Sequence, residues 1–200
     1  MKKIILILFI LSAYIANAKD TTILFLGDSL TEGYGLNKEE AYPKLVKDLI
    51  QEKLNKKIKV INGGVSGSTT SDALARLKWY MRKKPDLVFI ALGANDGLRG
   101  LNLEQSEKNL EEIILYVQKF KAKVLLAGML IPPNYGPNYT EEFKNMYENL
   151  RAKYDLKMMP FLLYGVAGEV SLNQRDSIHP NEKGHEHISK NVFEFIKGEL

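Results

Sequence analysis

The chain has 200 residues, of which 45% are hydrophobic and 26% charged, an ordinary composition for a globular protein with a sizeable core. Its net charge is only +4, and no basic stripe with interleaved aromatic residues occurs, so we expect no nucleic-acid partner. The absence of cysteine excludes a disulfide scaffold, a lipid-modified cysteine, a thiolate nucleophile and a cysteine-ligated zinc site.

Residues 1–18 have the pattern of a signal peptide. Lysines at positions 2 and 3 precede an apolar run over residues 4–15, and Ala16-Asn17-Ala18 is an A-x-A cleavage site. We expect residues 19–200 to be one periplasmic or secreted domain with no stable membrane insertion after cleavage. Removing two lysines and no acidic residue lowers the net charge from +4 to +2. An uncleaved N-terminal anchor is the alternative, although the apolar run is short for a bilayer-spanning helix.

Apolar runs typical of buried strands alternate with amphipathic stretches typical of helices. In chain order, the patterns predict a strand over 22–26, a helix over 41–54, a strand over 58–62, a helix over 71–83, a strand over 87–92, a helix over 103–121, a strand over 123–129, a helix over 140–154 with Thr140 as N-cap, a strand over 158–163 and a helix over 181–197. Continuous apolar strands separated by helices form parallel sheets that are covered on both faces. We therefore predict a three-layer α/β/α sandwich with a flavodoxin-like sheet of about five parallel strands, in the order 2-1-3-4-5.

Four polar clusters follow predicted strands or precede the last helix. They are residues 27–30 (Gly-Asp-Ser-Leu), 62–67 (Asn-Gly-Gly-Val-Ser-Gly), 93–96 (Gly-Ala-Asn-Asp) and 176–180 (Asp-Ser-Ile-His-Pro). Ligands of parallel sheets bind beyond the carboxyl ends of the strands. The fold should therefore bring all four clusters to one edge of the sheet.

These clusters contain the groups that acyl transfer needs. Ser29, just past a strand and at a helix N-terminus, would present its hydroxyl at the rim of the sheet and its N–H toward an oxyanion. Gly67 has no side chain and can bring a backbone N–H close, and Asn95 offers an amide donor. Asp176 and His179 are spaced so that the carboxylate can meet one imidazole nitrogen while the other faces the serine as general base.

Taken together and in this order, the clusters resemble the sequence blocks of the SGNH (GDSL-type) hydrolase family over essentially all of residues 19–200. The resemblance is strongest to the thioesterase, lysophospholipase and arylesterase subgroup, on residues 95–100 (Asn-Asp-Gly-Leu-Arg-Gly) and 133–136 (Pro-Asn-Tyr-Gly). Two small residues depart from the pattern: Ala94 and Ser177 stand where the family often has glycine.

The resemblance implies a serine hydrolase that cleaves ester and thioester bonds through an acyl-Ser29 intermediate. It implies Ser29, Asp176 and His179 as the catalytic triad, and the N–H groups of Ser29 and Gly67 with the Asn95 side chain as the oxyanion hole. The substrates that it implies are small acyl esters, thioesters and lysophospholipids.

Two other functions stay open. A carbohydrate or peptidoglycan O-acetylesterase would use the same blocks, and a long apolar acyl groove would argue against it. A non-catalytic exported binding module would be expected to have lost Ser29 or His179, and both are present.

Several polar residues have a simpler interpretation than a role in chemistry. His185 and His187 could form a metal site with His179. However, they lie two residues apart on a predicted helix and so point to different sides of it, and no carboxylate has ligand spacing. We therefore expect no metal and no cofactor. Asp28 is expected to order its turn. Arg99 is interpreted as a solvated loop arginine, with a substrate head group as its alternative partner.

Overall fold

The computed structural model describes residues 20–200, and the predicted signal peptide at residues 1–18 lies outside them. The strands are β1 (Thr21–Gly27), β2 (Ile58–Gly64), β3 (Leu87–Ala91), β4 (Lys123–Ala127) and β5 (Lys157–Met159). The α-helices are α1 (Ser29–Glu32), α2 (Tyr42–Leu54), α3 (Thr70–Tyr80), α4 (Ala94–Leu98), α5 (Leu103–Lys119), α6 (Pro137–Lys153) and α7 (Glu182–Ile196). Short 3-10 helices occur at Met81–Lys83, Pro133–Tyr135, Val170–Leu172 and Lys197–Glu199.

The five strands form one parallel sheet in the order β2-β1-β3-β4-β5, which confirms the predicted topology. β1 and β3 are apolar and buried along almost their whole length, as expected for strands covered on both faces. At the carboxyl edge, Gly27 pairs with Gly64 on one side and with Ala91 on the other. Three strands therefore end at the same level, and the segments that follow them start side by side.

The helices cover both faces of the sheet. Across the sheet, the connection from β1 to β2 runs toward one edge, and the later connections run toward the other edge. Because all of these connections are right-handed, α2 lies on one face of the sheet and α3, α5 and α6 lie on the other. α2 packs against α7, whereas α5 packs against α3 and α6. The predicted α/β/α sandwich is thus confirmed. No helix within residues 20–200 is long and apolar enough to cross a membrane.

The helix predicted over 140–154 begins earlier than expected, and Thr140 is not its N-cap. α6 starts at Pro137 with Gly136 as the capping residue, and the Thr140 hydroxyl donates back to the carbonyls of Gly136 and Pro137 at 3.0 and 2.9 Å. Proline suits the first helical position because its φ is preset and its missing N–H has no helical partner there.

The other differences concern short elements and strand ends. The strand predicted over 158–163 ends at Met159, because the Leu162 N–H donates to the Gly128 carbonyl in a turn instead of continuing the ladder. β4 ends at Ala127 rather than at residue 129. α1 begins at Ser29, where a helix N-terminus was expected, whereas α4 was not predicted, since five residues are too few to show a helical period.

Candidate active site

A groove of about 590 Å³ opens at the carboxyl edge of the sheet, and Ser29, Asn95 and His179 line it. Ser29 is the first residue of α1, two positions after β1 ends, and Asn95 lies in α4, after β3. His179 comes from the segment before α7. The structure therefore brings residues from three of the four predicted clusters to one cavity.

Ser29, His179 and Asp176 form a continuous chain of hydrogen bonds. The His179 Nε2 atom lies 3.0 Å from the Ser29 Oγ atom, and the His179 Nδ1 atom lies 2.7 Å from the Asp176 Oδ2 atom. An ionised carboxylate only accepts hydrogen bonds, so the Nδ1–H donates to Asp176 and leaves the Nε2 lone pair facing the serine hydroxyl. This is the arrangement of a nucleophile, its general base and the group that orients the base.

The turn from Asp176 to His179 holds the carboxylate in its ionised form. The Asp176 Oδ1 atom accepts the backbone N–H groups of Ile178 and His179, each at 3.0 Å. Together with the imidazole, these donors lower the Asp176 pKa to about 2, the His179 backbone N–H having the largest effect. Ser177 adopts a left-handed conformation with φ of 61°, which explains why glycine suits this position.

The candidate oxyanion donors lie on two neighbouring segments. Gly67 has φ of 77° in the turn after β2, and the Asn95 Nδ2 atom donates to the carbonyl of the next residue, Ser68, at 3.0 Å. Within residues 20–200, the backbone N–H groups of Ser29 and Gly67 donate to no other protein group. Ser29 and Asn95 line the groove directly, whereas Gly67 lies in the adjoining turn.

Much of the groove is lined by apolar side chains. Its lining includes Leu30, Leu98, Met129, Ile131, Phe161 and Leu163. Leu98 also has a fixed position, because the Tyr135 hydroxyl donates to its carbonyl at 2.8 Å. A preformed apolar wall beside a nucleophile suits a substrate with a hydrocarbon part.

Comparisons with known proteins agree with this geometry. The model of the GDSL-like lipase/acylhydrolase family matches residues 25–187. The chain belongs to this family. It is 36% identical to an arylesterase of Vibrio mimicus over 98% of its own length and 95% of that protein's. It is also 36% identical to thioesterase 1/protease 1/lysophospholipase L1 of Escherichia coli K12, over 90% and 85% of the two chains.

A solved structure supports the same conclusion. The crystal structure of the psychrotrophic esterase EstA of a Pseudoalteromonas species, inhibited by monoethylphosphonate, superposes with a TM-score of 0.85 at 37% identity. The superposition covers 90% of this chain and 99% of that one. This similarity confirms the SGNH-type fold that the sequence predicted.

Two of the three histidines in this GDSL-like hydrolase lie apart from the groove. His185 is buried, accepts the Tyr42 N–H at 3.1 Å through Nδ1, and has its pKa lowered to about 4 by burial, so it is a neutral structural group. His187 packs toward Gly165. Among the residues that the structure describes, no group of three histidine, aspartate or glutamate side chains is placed to hold a metal ion.

The structure adds one contact that no sequence pattern indicated. The Tyr34 ring lies against the His179 imidazole, with 4.6 Å between the ring centroids and 40° between the planes. Gln174 joins the same two segments, because its Nε2 atom donates to the carbonyls of Tyr34 and Pro180 at 2.7 and 3.0 Å. Tyr34 lies in a loop without hydrophobic periodicity, so only the folded chain reveals the pair.

Asp28 orders its turn as expected, but only half of its carboxylate is satisfied. The Oδ1 atom accepts the Leu30 N–H at 3.0 Å, while the buried Oδ2 atom has no hydrogen-bond partner. Burial raises the Asp28 pKa from 3.8 to about 6, and the Leu30 N–H opposes that rise. The charged form of this side chain is therefore disfavoured in the folded protein.

The Asp28 carboxyl should make stability depend on pH with a defined sign. The unfolded chain ionises this carboxyl near pH 3.8 and the folded chain near pH 6, so folding becomes less favourable as the pH rises between these values. Asparagine carries no charge there. The unfolding free energy of Asp28→Asn minus that of the wild type should therefore increase by about 2 kcal/mol from pH 4 to pH 7.5, since one pKa unit corresponds to about 1.4 kcal/mol and the unfolded carboxyl is already more than half ionised at pH 4.

Urea unfolding followed by circular dichroism at the two pH values measures this difference. Asp155→Asn, at an exposed position, is the matched control and should show no comparable increase. A difference for Asp28→Asn that stays constant between the two pH values would contradict this account of the carboxyl.

Proposed function

We propose that Ser29 is the nucleophile of this enzyme, with His179 as general base and Asp176 as the group that orients it. The chain is a serine hydrolase that acts on carboxylic esters and thioesters, as its family and its relatives named arylesterase and thioesterase/lysophospholipase indicate. The observation that carries the residue assignment is the hydrogen-bond chain Ser29–His179–Asp176 at the edge of an apolar groove.

In the acylation step, the Ser29 Oγ atom attacks the substrate carbonyl carbon while its proton moves to the His179 Nε2 atom. The imidazolium that forms is stabilised by Asp176, whose low pKa keeps it ionised over the whole neutral range. The bond from the carbonyl carbon to the leaving oxygen or sulfur then breaks, and His179 returns the proton to the leaving alcohol or thiol. The product of this step is an acyl ester of Ser29.

The negative charge on the carbonyl oxygen requires donors that are already in place. The N–H groups of Ser29 and Gly67 have no protein acceptor in the described part of the chain, and the Asn95 amide has a second hydrogen besides the one that it gives to Ser68. Three such donors stabilise the tetrahedral intermediate more than the ground-state carbonyl. Deacylation repeats the sequence, with water in place of the serine hydroxyl and the carboxylic acid as product.

The apolar groove is the reason to favour a hydrocarbon acyl group over acetyl. Each methylene group that is transferred from water to such a wall contributes about 0.8 kcal/mol at full burial. We therefore propose acyl esters, thioesters and lysophospholipids with medium or long chains as substrates. An O-acetylesterase would gain nothing from this wall.

A series of p-nitrophenyl esters distinguishes these substrate classes. kcat/KM should rise by at least about tenfold from the acetate to the octanoate, because several more methylene groups are buried in the groove. An acyl thioester and a lysophospholipid should also be cleaved. Acetate as the preferred ester, together with release of acetate from an acetylated glycan, would instead support the O-acetylesterase.

Loss of the Ser29 hydroxyl should abolish turnover. Ser29→Ala should lower kcat by a factor on the order of 10⁴ or more, because no acyl intermediate can form, while the melting temperature stays close to that of the wild type. A fluorophosphonate probe should label the wild type and not the variant, as expected for a relative of an esterase that is inhibited by monoethylphosphonate.

The matched control for this experiment is Ser171→Ala, at an exposed serine of a 3-10 helix, which should be labelled and active like the wild type. More than a few per cent of wild-type activity in Ser29→Ala would exclude Ser29 as the nucleophile.

We further propose that residues 1–18 direct export and that residues 19–200 form the mature periplasmic or secreted enzyme. The lysine pair, the apolar run and Ala16-Asn17-Ala18 support this proposal.

N-terminal sequencing tests the export proposal. Full-length protein made in a bacterial host should be recovered from the periplasm or the medium and should begin at Lys19. Replacing both Ala16 and Ala18 by leucine should block cleavage and leave the chain in the membrane fraction. A wild-type chain that starts at Met1 in that fraction would support the uncleaved anchor instead.

A further inference from the structure

Arg99 touches both segments that carry the candidate oxyanion donors. Its Nη2 atom donates to the Gly67 carbonyl at 3.0 Å and to the Asn95 Oδ1 atom at 3.4 Å. Gly67 lies in the turn after β2 and Asn95 in the helix after β3, so one guanidinium nitrogen joins them across the strand β1 that lies between. This contact differs from the solvated loop arginine that the sequence suggested.

The contact determines which way the Asn95 amide points. A guanidinium group has only donors, so the atom that faces it must be the amide oxygen. The other end of the amide faces a backbone carbonyl, that of Ser68, which accepts a hydrogen bond only from the amide nitrogen. A flip of the amide by 180° would set donor against donor and acceptor against acceptor. Arg99 and Ser68 together therefore hold the nitrogen in the orientation that oxyanion binding needs.

The same contact restrains the turn at Gly67. The Gly67 carbonyl accepts from Arg99, while the next carbonyl, that of Ser68, accepts from Asn95. A Cβ atom at Gly67 would lie 3.4 Å from the Arg99 Nη2 atom, so the guanidinium group lies directly over the turn. Both of these carbonyls follow the Gly67 Cα atom, so the two hydrogen bonds restrain the backbone on the carboxyl side of the Gly67 N–H.

The backbone that carries Arg99 is itself anchored. The Arg99 N–H donates to the Asn95 carbonyl at 3.1 Å, and the Tyr135 hydroxyl holds the preceding carbonyl, that of Leu98. Beneath this segment, the buried Asp96 carboxylate accepts from the Thr70 N–H and hydroxyl and from the Ser106 hydroxyl at 2.6–3.0 Å. Arg99 forms no ion pair with any residue from 20 to 200, so its charge is not neutralised by a carboxylate there.

We propose that Arg99 is a positioning residue of the oxyanion hole, which fixes the Asn95 amide and the Gly67 turn for the transition state. The inference rests on the proposed roles of Ser29, Gly67 and Asn95. Arg99 is not among the residues that line the groove, so its effect should be smaller than that of a direct donor. Because the restrained groups act on charge that develops only after attack, the effect should fall on kcat rather than on KM.

Steady-state kinetics on the uncharged substrate p-nitrophenyl butyrate tests this proposal. Asn95→Ala should lower kcat by about a hundredfold to a thousandfold, and Arg99→Ala by about tenfold, with KM changed by no more than about twofold. Arg99→Lys should lose less than Arg99→Ala, because one ammonium group can still donate to one of the two oxygens. Arg82→Ala, at an exposed arginine far from the groove, is the matched control and should match the wild type.

A double-mutant cycle decides whether Arg99 acts through Asn95. In the Asn95→Ala background, the further loss from Arg99→Ala should shrink to about threefold or less, the remainder acting through Gly67. Millimolar guanidinium should restore part of kcat to Arg99→Ala and should have no such effect on Asn95→Ala. A melting temperature within the range of the Arg82→Ala control would show that the fold is intact.

Three results would overturn the inference. One is an equal loss from Arg99→Ala in both backgrounds, and another is a kcat for Arg99→Ala that equals that of Arg82→Ala. The third is a loss confined to KM for substrates with an anionic head group, which would make Arg99 a substrate-binding residue. In each of these three cases, a fluorophosphonate probe should still label Ser29 in the Arg99 and Asn95 variants. A failure of the proposed function would instead be shown by activity in the Ser29→Ala enzyme.

Discussion

The site depends on the alignment of three strand ends at Gly27. This residue pairs with Gly64 of β2 and with Ala91 of β3, so the chain leaves all three strands at one level. α1 packs so closely on this edge of the sheet that Gly27 and Gly64 have no room for a side chain. A Cβ atom at Gly27 would lie 2.0 Å from the Thr31 hydroxyl oxygen, and one at Gly64 would lie 2.1 Å from a backbone nitrogen of α1. Glycine at these positions is what allows Ser29 to approach the segment after β2.

His179 is held by a separate set of contacts that does not involve the sheet. Gln174 makes several of these contacts. Its backbone N–H donates to the His179 carbonyl at 2.8 Å, and its side-chain amide donates to the carbonyls of Tyr34 and Pro180. The Tyr34 ring packs against one face of the His179 imidazole. Ser29 is thus placed by backbone pairing, and His179 by side chains that bridge two loops.

The sequence was informative where a local pattern determines the structure. Apolar runs and turn residues located the five strands, and the rule for parallel sheets gave their order and the edge at which Ser29, Asn95 and His179 meet. Local pattern did not reveal α4, which is too short to show a helical period. It also misplaced the start of α6, where a preset proline rather than the side chain of Thr140 begins the helix.

Unlike the contact between Ser29 and His179, two other contacts between residues far apart in sequence could not be predicted. Arg99 meets Gly67 across 32 positions, and Tyr34 meets His179 from opposite ends of the chain. Arg99 lies in the segment 95–100 that resembles the family, but no pattern in the sequence identifies its partner or that of Tyr34, and an exposed arginine or tyrosine in a loop is usually only solvated. Their roles depend on the packing of neighbouring loops, which is specified by the whole sheet.

Two aspartates near Ser29 show how burial and hydrogen bonding together determine which carboxyl group stays ionised beside His179. Asp28 is adjacent to Ser29 in sequence, but its carboxylate accepts the backbone N–H of Leu30 and leaves one buried oxygen without a hydrogen bond. Burial raises its pKa to about 6. Asp176 is distant in sequence, but it accepts two backbone N–H groups and the imidazole, and its pKa falls to about 2. Only a carboxylate that stays ionised while the neighbouring imidazole becomes protonated can stabilise that imidazolium. The exposure of the carboxylate and the number of donors around it, rather than its closeness to Ser29, therefore make Asp176 the suitable partner for His179.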